Sequence, residues 1–77
     1  MPELPVVSGR EARRAFEKAG WIYKRRGSTR HMILTKPGVW VTLSIPDHKE
    51  LDPGLLRSLI RDAGLTVQEF TELLKDP

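Results

Sequence analysis

Three helix starts are written into this chain, and the stretch between the first two carries turn signals instead of helical periodicity. Ser8-Gly9-Arg10-Glu11 fits a capping box, in which the Ser8 hydroxyl accepts from an early backbone N–H and Glu11 reaches back to the cap. Ala12, Ala15, Phe16 and Ala19 then form an apolar stripe at helical spacing, and Gly20 supplies a left-handed residue to close the helix. Asp52 followed by Pro53 begins a second helix, with Leu55, Leu56, Leu59, Ile60 and Ala63 on its buried face and Gly64 at its end. Thr66-Val67-Gln68-Glu69 is another capping box. Leu65 can staple against Phe70, and Phe70, Leu73 and Leu74 would dock this short last helix.

Between these helices the pattern is extended. Trp21–Arg26, Arg30–Thr35 and Trp40–Ile45 read as strands, joined by Gly27-Ser28-Thr29 and by Lys36-Pro37-Gly38-Val39. The second connection suits a type II turn, since proline presets φ and glycine supplies a positive φ. In the third segment Val41, Leu43 and Ile45 alternate with Trp40, Thr42 and Ser44. By the same parity Met32 and Leu34 face one way, while His31, Ile33 and Thr35 face the other. If Met32 and Leu34 join Val41 and Leu43 beneath the helices, His31 lies on the open face. The order predicts a single α+β domain over residues 1–77: helix, three-stranded antiparallel sheet, helix, short C-terminal helix.

Size narrows the chemistry. A chain of 77 residues buries only roughly 60% of its extended surface, which leaves little room for a lid, a second lobe or a deep cofactor pocket, so no cofactor is expected. The absence of cysteine excludes a disulfide framework, a thiolate metal site and a cysteine nucleophile. With two histidines and no His-Glu cluster at ligand spacing, no metal site is expected either. No glycine-rich phosphate loop follows a strand, and Ser8, Ser28, Ser44 and Ser58 have no nucleophile signature around them. No apolar run approaches the ~20 residues that cross a bilayer, and MPELPVVSG lacks the basic-then-apolar order of a signal peptide. A soluble cytoplasmic protein without membrane contact is the expectation.

Thirteen Lys and Arg oppose ten Asp and Glu, a formal charge of +3, but the distribution is uneven. Lys24, Arg25, Arg26 and Arg30 crowd around one turn, while acids gather in the C-terminal third. Such a cluster suits a polyanion at one edge of the domain, and a solvated turn is the alternative. His31 stands beside it. Imidazole exchanges protons near neutral pH, guanidinium groups can hold a phosphodiester, and RNA brings its own nucleophile in the ribose 2′-hydroxyl. By residue type alone His31 is either that proton-transfer group or a structural strand histidine. His48, in a polar loop, fits a solvated or loop-organising role. Trp21, Trp40 and Tyr23 could stack on bases, with Trp21 the one expected in the core.

Leu4-Pro5-Val6-Val7-Ser8-Gly9-Arg10-Glu11 with Ala19-Gly20-Trp21, and then Pro46-Asp47-His48-Lys49-Glu50-Leu51, Pro53-Gly54 and Leu55 through Leu65, carry a family resemblance. From about Leu4 to Leu74 the chain resembles the HicA (YcfA-like) family, the small mRNA interferase toxins of toxin–antitoxin pairs. The resemblance implies a fold like the double-stranded-RNA-binding domain. It also implies a type II toxin that cleaves mRNA as a metal-independent endoribonuclease and is neutralised by a HicB-like antitoxin. The family's catalytic histidine follows a Gly-Ser pair directly or after one residue. Here Thr29 and Arg30 separate Gly27-Ser28 from His31. Aligning through Met32-Ile33-Leu34-Thr35-Lys36-Pro37-Gly38 assigns His31 to the catalytic position; aligning on Gly27-Ser28 puts Thr29 or Arg30 there. The first keeps the strand in register and is preferred. It makes His31 catalytic, with Lys24, Arg25, Arg26, Ser28 and Arg30 binding RNA. The alternatives are a non-catalytic RNA-binding module of the same fold, and a domain whose basic edge docks an acidic protein.

Overall fold

Ser8 caps the first helix in both directions. The Glu11 N–H donates to Ser8 Oγ at 3.1 Å, and the Ser8 N–H donates to Glu11 Oε1 at 2.9 Å. This computed structural model describes residues 3–26 and 30–75, with the backbone alone for Arg25 and Arg26. Its elements run α1 (Gly9–Lys18), β1 (Ile22–Arg26), β2 (His31–Thr35), β3 (Leu43–Pro46), α2 (Pro53–Asp62) and α3 (Val67–Lys75). Asp52 caps α2 by accepting from the Leu55 N–H at 3.1 Å, and Thr66 and Glu69 form the second capping box ahead of α3.

Both longer helices close on glycine. After α1, Gly20 takes φ +100°, its N–H donates to the Glu17 carbonyl, and the Trp21 N–H donates to the Phe16 carbonyl. After α2, Gly64 takes φ +77°, with the matching pair Gly64 to Arg61 and Leu65 to Ile60. These are Schellman closures, which satisfy carbonyls a helix end would otherwise leave open. The first explains why β1 starts at Ile22 and not at Trp21. The Trp21 N–H belongs to the helix end, and its ring is buried as expected.

The sheet is antiparallel in the order β1-β2-β3. Met32 and Leu34 of β2 join Leu43 and Ile45 of β3 under α1 and α2, with Phe16, Leu56, Leu59, Ile60 and Phe70 completing the core. Ala12 and Ala15, both fully buried, let α1 lie close to the strands. A helix, an antiparallel three-stranded sheet and two further helices in this order make the α+β fold of the double-stranded-RNA-binding-domain type.

The third strand is shorter than its alternation predicts. Trp40, Val41 and Thr42 lie outside it, and Val41 is exposed instead of joining the core. The register explains this. With Leu34 opposite Leu43, an extended ladder would set Val41 against Lys36 and Trp40 against Pro37. Pro37 has no N–H to offer, and the chain already turns there, with the Val39 N–H on the Lys36 carbonyl at 3.1 Å and Gly38 at φ +79°. The expected type II turn thus forms and ends the ladder. Trp40 is left 100% exposed. Replacing it by Ser is expected to change unfolding stability by no more than about 0.5 kcal/mol, which urea titration would measure; a loss above about 1 kcal/mol would contradict its placement.

Candidate active site

His31 is the first residue of β2, the central strand, which is held by a neighbour on each side and so offers a firm base for a reactive group. Along β2 buried and half-buried residues alternate: Met32 and Leu34 enter the core, while His31, Ile33 and Thr35 lie on the opposite face. His31 pairs in register with Pro46, and Ile33 with Ser44. No helix covers this face among the described residues. The parity read from the sequence therefore holds, although Ile45 and not Val41 is the core partner beside Leu43.

Arg30 precedes His31 in an unusual backbone conformation. It is the one described non-glycine residue with a positive φ, +59°, and its side chain is exposed. Left-handed backbone is disfavoured for a residue with a Cβ, so something must hold it. The Arg30 carbonyl accepts from the Asp47 N–H at 2.9 Å, one step beyond the His31–Pro46 pair. Asp47 is in turn gripped by Arg10 of α1, whose Nε and Nη2 reach Oδ1 and Oδ2 at 3.3 and 3.5 Å. The Asp47 side chain is only 17% exposed and that of Arg10 74%, so the carboxylate is shielded while much of the guanidinium faces solvent. The same loop is pinned again by the Gly9 N–H on the His48 carbonyl at 2.9 Å. A Cβ at Gly9 would fall on the Pro46 carbonyl, so only glycine permits this approach. His48 is exposed, and its backbone organises the loop, as its position in the sequence suggests.

The remaining basic residues distribute around β1. Its pairing with β2 shifts between Tyr23 and Arg25, leaving Lys24 as the extra residue of a β-bulge. Lys24 is exposed there, level with Ile33 and Leu34. Arg25 pairs in register with Ile33 and Arg26 with Met32, so the backbone brings both alongside the start of β2. Ser28 lies outside the described residues, as do its neighbours Gly27 and Thr29. Lys24, Arg25, Arg26, Arg30 and His31 thus belong to two adjacent strands and their junction.

Of the three aromatic candidates for base stacking, two are engaged elsewhere. Trp21 is buried, and the Tyr23 ring is covered on one face by the Arg13 guanidinium, 3.7 Å from its centroid. Arg13 also pairs with Glu17 at 3.4 Å. Trp40 is exposed, but it follows the far end of β2 from His31. The residues that sequence reasoning missed are Arg10 and Asp47. They stand thirty-seven positions apart, and nothing in local spacing links them.

Comparison with curated proteins gives no match. The family model described as “HicA toxin of bacterial toxin-antitoxin” matches residues 9–65, a span from the start of α1 to just past the end of α2 that includes the whole sheet. A match over most of the chain, on a sheet and helix order of the expected kind, makes this chain a member of the HicA toxin family.

Proposed function

We propose that this toxin is a metal-independent endoribonuclease that cleaves mRNA in the cytoplasm, with His31 as its single catalytic histidine and Lys24, Arg25, Arg26, Ser28 and Arg30 engaging the RNA. The observation that carries the reading is the pairing of a half-buried imidazole on the open sheet face with an exposed arginine in a held, left-handed backbone. Backbone held in a sparsely populated region concentrates at functional sites.

The chemistry needs few protein groups. A base removes the proton of the 2′-hydroxyl, the oxygen attacks the adjacent phosphorus, and the bond to the 5′-oxygen breaks. That oxygen then takes a proton, leaving a 2′,3′-cyclic phosphate and a free 5′-hydroxyl. His31 serves as base or acid at the 2′-hydroxyl and scissile phosphate, and nearby guanidinium groups stabilise the charge that builds on the phosphate. A HicB-like antitoxin that lies over His31 would silence the toxin by excluding RNA.

Phosphate binding has a specific signature in salt. In a His31→Ala background, which separates binding from cleavage, Lys24→Ala and Arg30→Ala are each expected to weaken RNA binding. Each should also flatten the plot of log affinity against log salt by roughly 0.7 for every phosphate that is no longer neutralised. Fluorescence anisotropy with a labelled single strand measures both quantities. Unchanged slopes would remove these residues from the interface, and tight binding by a wild-type protein that yields no cleavage products would favour a non-catalytic RNA-binding module.

A further inference from the structure

We infer that Asp47, gripped by Arg10, is a positioning residue for the His31 site; the inference rests on the nuclease reading above. The contacts form one continuous chain. Arg10, in the first turn of α1, holds both carboxylate oxygens of Asp47. The Asp47 N–H holds the carbonyl of Arg30, the residue whose left-handed backbone directs the chain into β2. His31 is the next residue and pairs with Pro46, the residue before Asp47.

Two features argue that this is more than a loop contact. The Asp47 carboxylate is shielded from water although its partner is largely exposed, so the ion pair orients the acid and leaves guanidinium surface facing solvent. The first turn of α1 is also seated directly on the loop, through the Gly9 N–H to His48 and the close approach of Gly9 to the Pro46 carbonyl. Arg10 therefore projects from a fixed platform. A bidentate arginine fork on a fixed platform restrains direction as well as distance. Releasing it removes a restraint on Asp47, and through the Asp47 N–H on the Arg30 carbonyl and the turn that leads into His31.

Neither Asp47 nor Arg10 needs to touch the RNA for this role, which separates it from the phosphate-binding set. Asp47→Ala and Arg10→Ala are expected to lower kcat for RNA cleavage about 10–100-fold, the range for small misplacements of a reacting group, with KM nearly unchanged. Removal of a phosphate-binding cation would instead raise KM. A second readout is independent of turnover: in amide and imidazole NMR spectra, the Arg30 and His31 resonances should move in both variants, while those of Leu43 and Leu56 in the core stay in place. Should Asp47→Ala fail to fold, Arg10→Ala carries the test, since its side chain is mostly exposed. Wild-type kcat in the folded variants, a change confined to KM, or unmoved Arg30 and His31 resonances would each overturn the inference. Cleavage that survives His31→Ala would overturn the catalytic assignment of His31 instead, and the resonance test would still report on the Arg10–Asp47–Arg30 linkage.

Discussion

Replacement of His31 by Ala is expected to abolish RNA cleavage and relieve growth arrest while leaving a folded protein. A positioned proton-transfer group contributes typically about 10²–10⁴ in rate, and the reading assigns this histidine to the central proton transfer. The fold should tolerate the change. His31 is half-buried and on the face opposite Met32 and Leu34, so its removal opens no hole among the buried apolar side chains. Its backbone pairing with Pro46 does not depend on the side chain. The measurement combines RNA sizing after induced expression, cleavage of a labelled oligonucleotide by purified protein, and thermal melting by circular dichroism. A variant that melts like the wild type and cuts RNA at the wild-type rate would refute the role of His31. The Gln variant sharpens the result, because an amide keeps hydrogen bonding but cannot accept and return a proton.

Much of this site could be read from the chain because the devices that build it are local. Capping boxes act over four residues, Schellman closures over six, and the Lys36–Val39 turn over four, so each is visible in a short window. Strand parity is also local, which is why His31 could be assigned to the open face before any partner was known. The third strand shows where alternation without register misleads. Val41 alternates correctly with Leu43, but β2 ends at Thr35, ahead of the turn at Pro37, so no strand residue stands opposite Val41. Arg10 and Asp47 were illegible for a different reason. Arg10 reads as one more charge on the solvent side of a helix and Asp47 as one more loop acid, until the fold seats α1 on the loop after β3. The left-handed backbone at Arg30 was equally hidden, since arginine is not a residue type that signals positive φ.

Phe70→Ala tests the other end of the molecule and has the largest expected effect on stability. Phe70 is the buried residue of α3, fully enclosed, with its ring centroid 5.0 Å from that of Phe16 on α1 and the planes tilted by 43°. Truncating a buried Phe costs about 3–5 kcal/mol, from reduced burial and the cavity left behind. A domain of this length has a total stability of only about 4–12 kcal/mol, so the substitution removes a large share of it. Leu73 and Leu74, which pack at the edge of the core, would lose much of their cover as α3 loosens. At about 4–8 °C per kcal/mol for a domain this small, the melting temperature should fall by more than about 12 °C. A fall of only a few degrees would mean that α3 is not docked as described. The same variant separates two ways of losing function. Phe16 lies two turns along α1 from Arg10, on the face that covers the sheet, and Phe70 packs on it within the core, whereas His31 lies on the opposite face of β2 from the core residues Met32 and Leu34. Below its lowered transition the Phe70→Ala protein should therefore cleave RNA with near-normal kcat per folded molecule and lose activity in step with its ellipticity on warming. His31→Ala should be silent at every temperature at which it is folded.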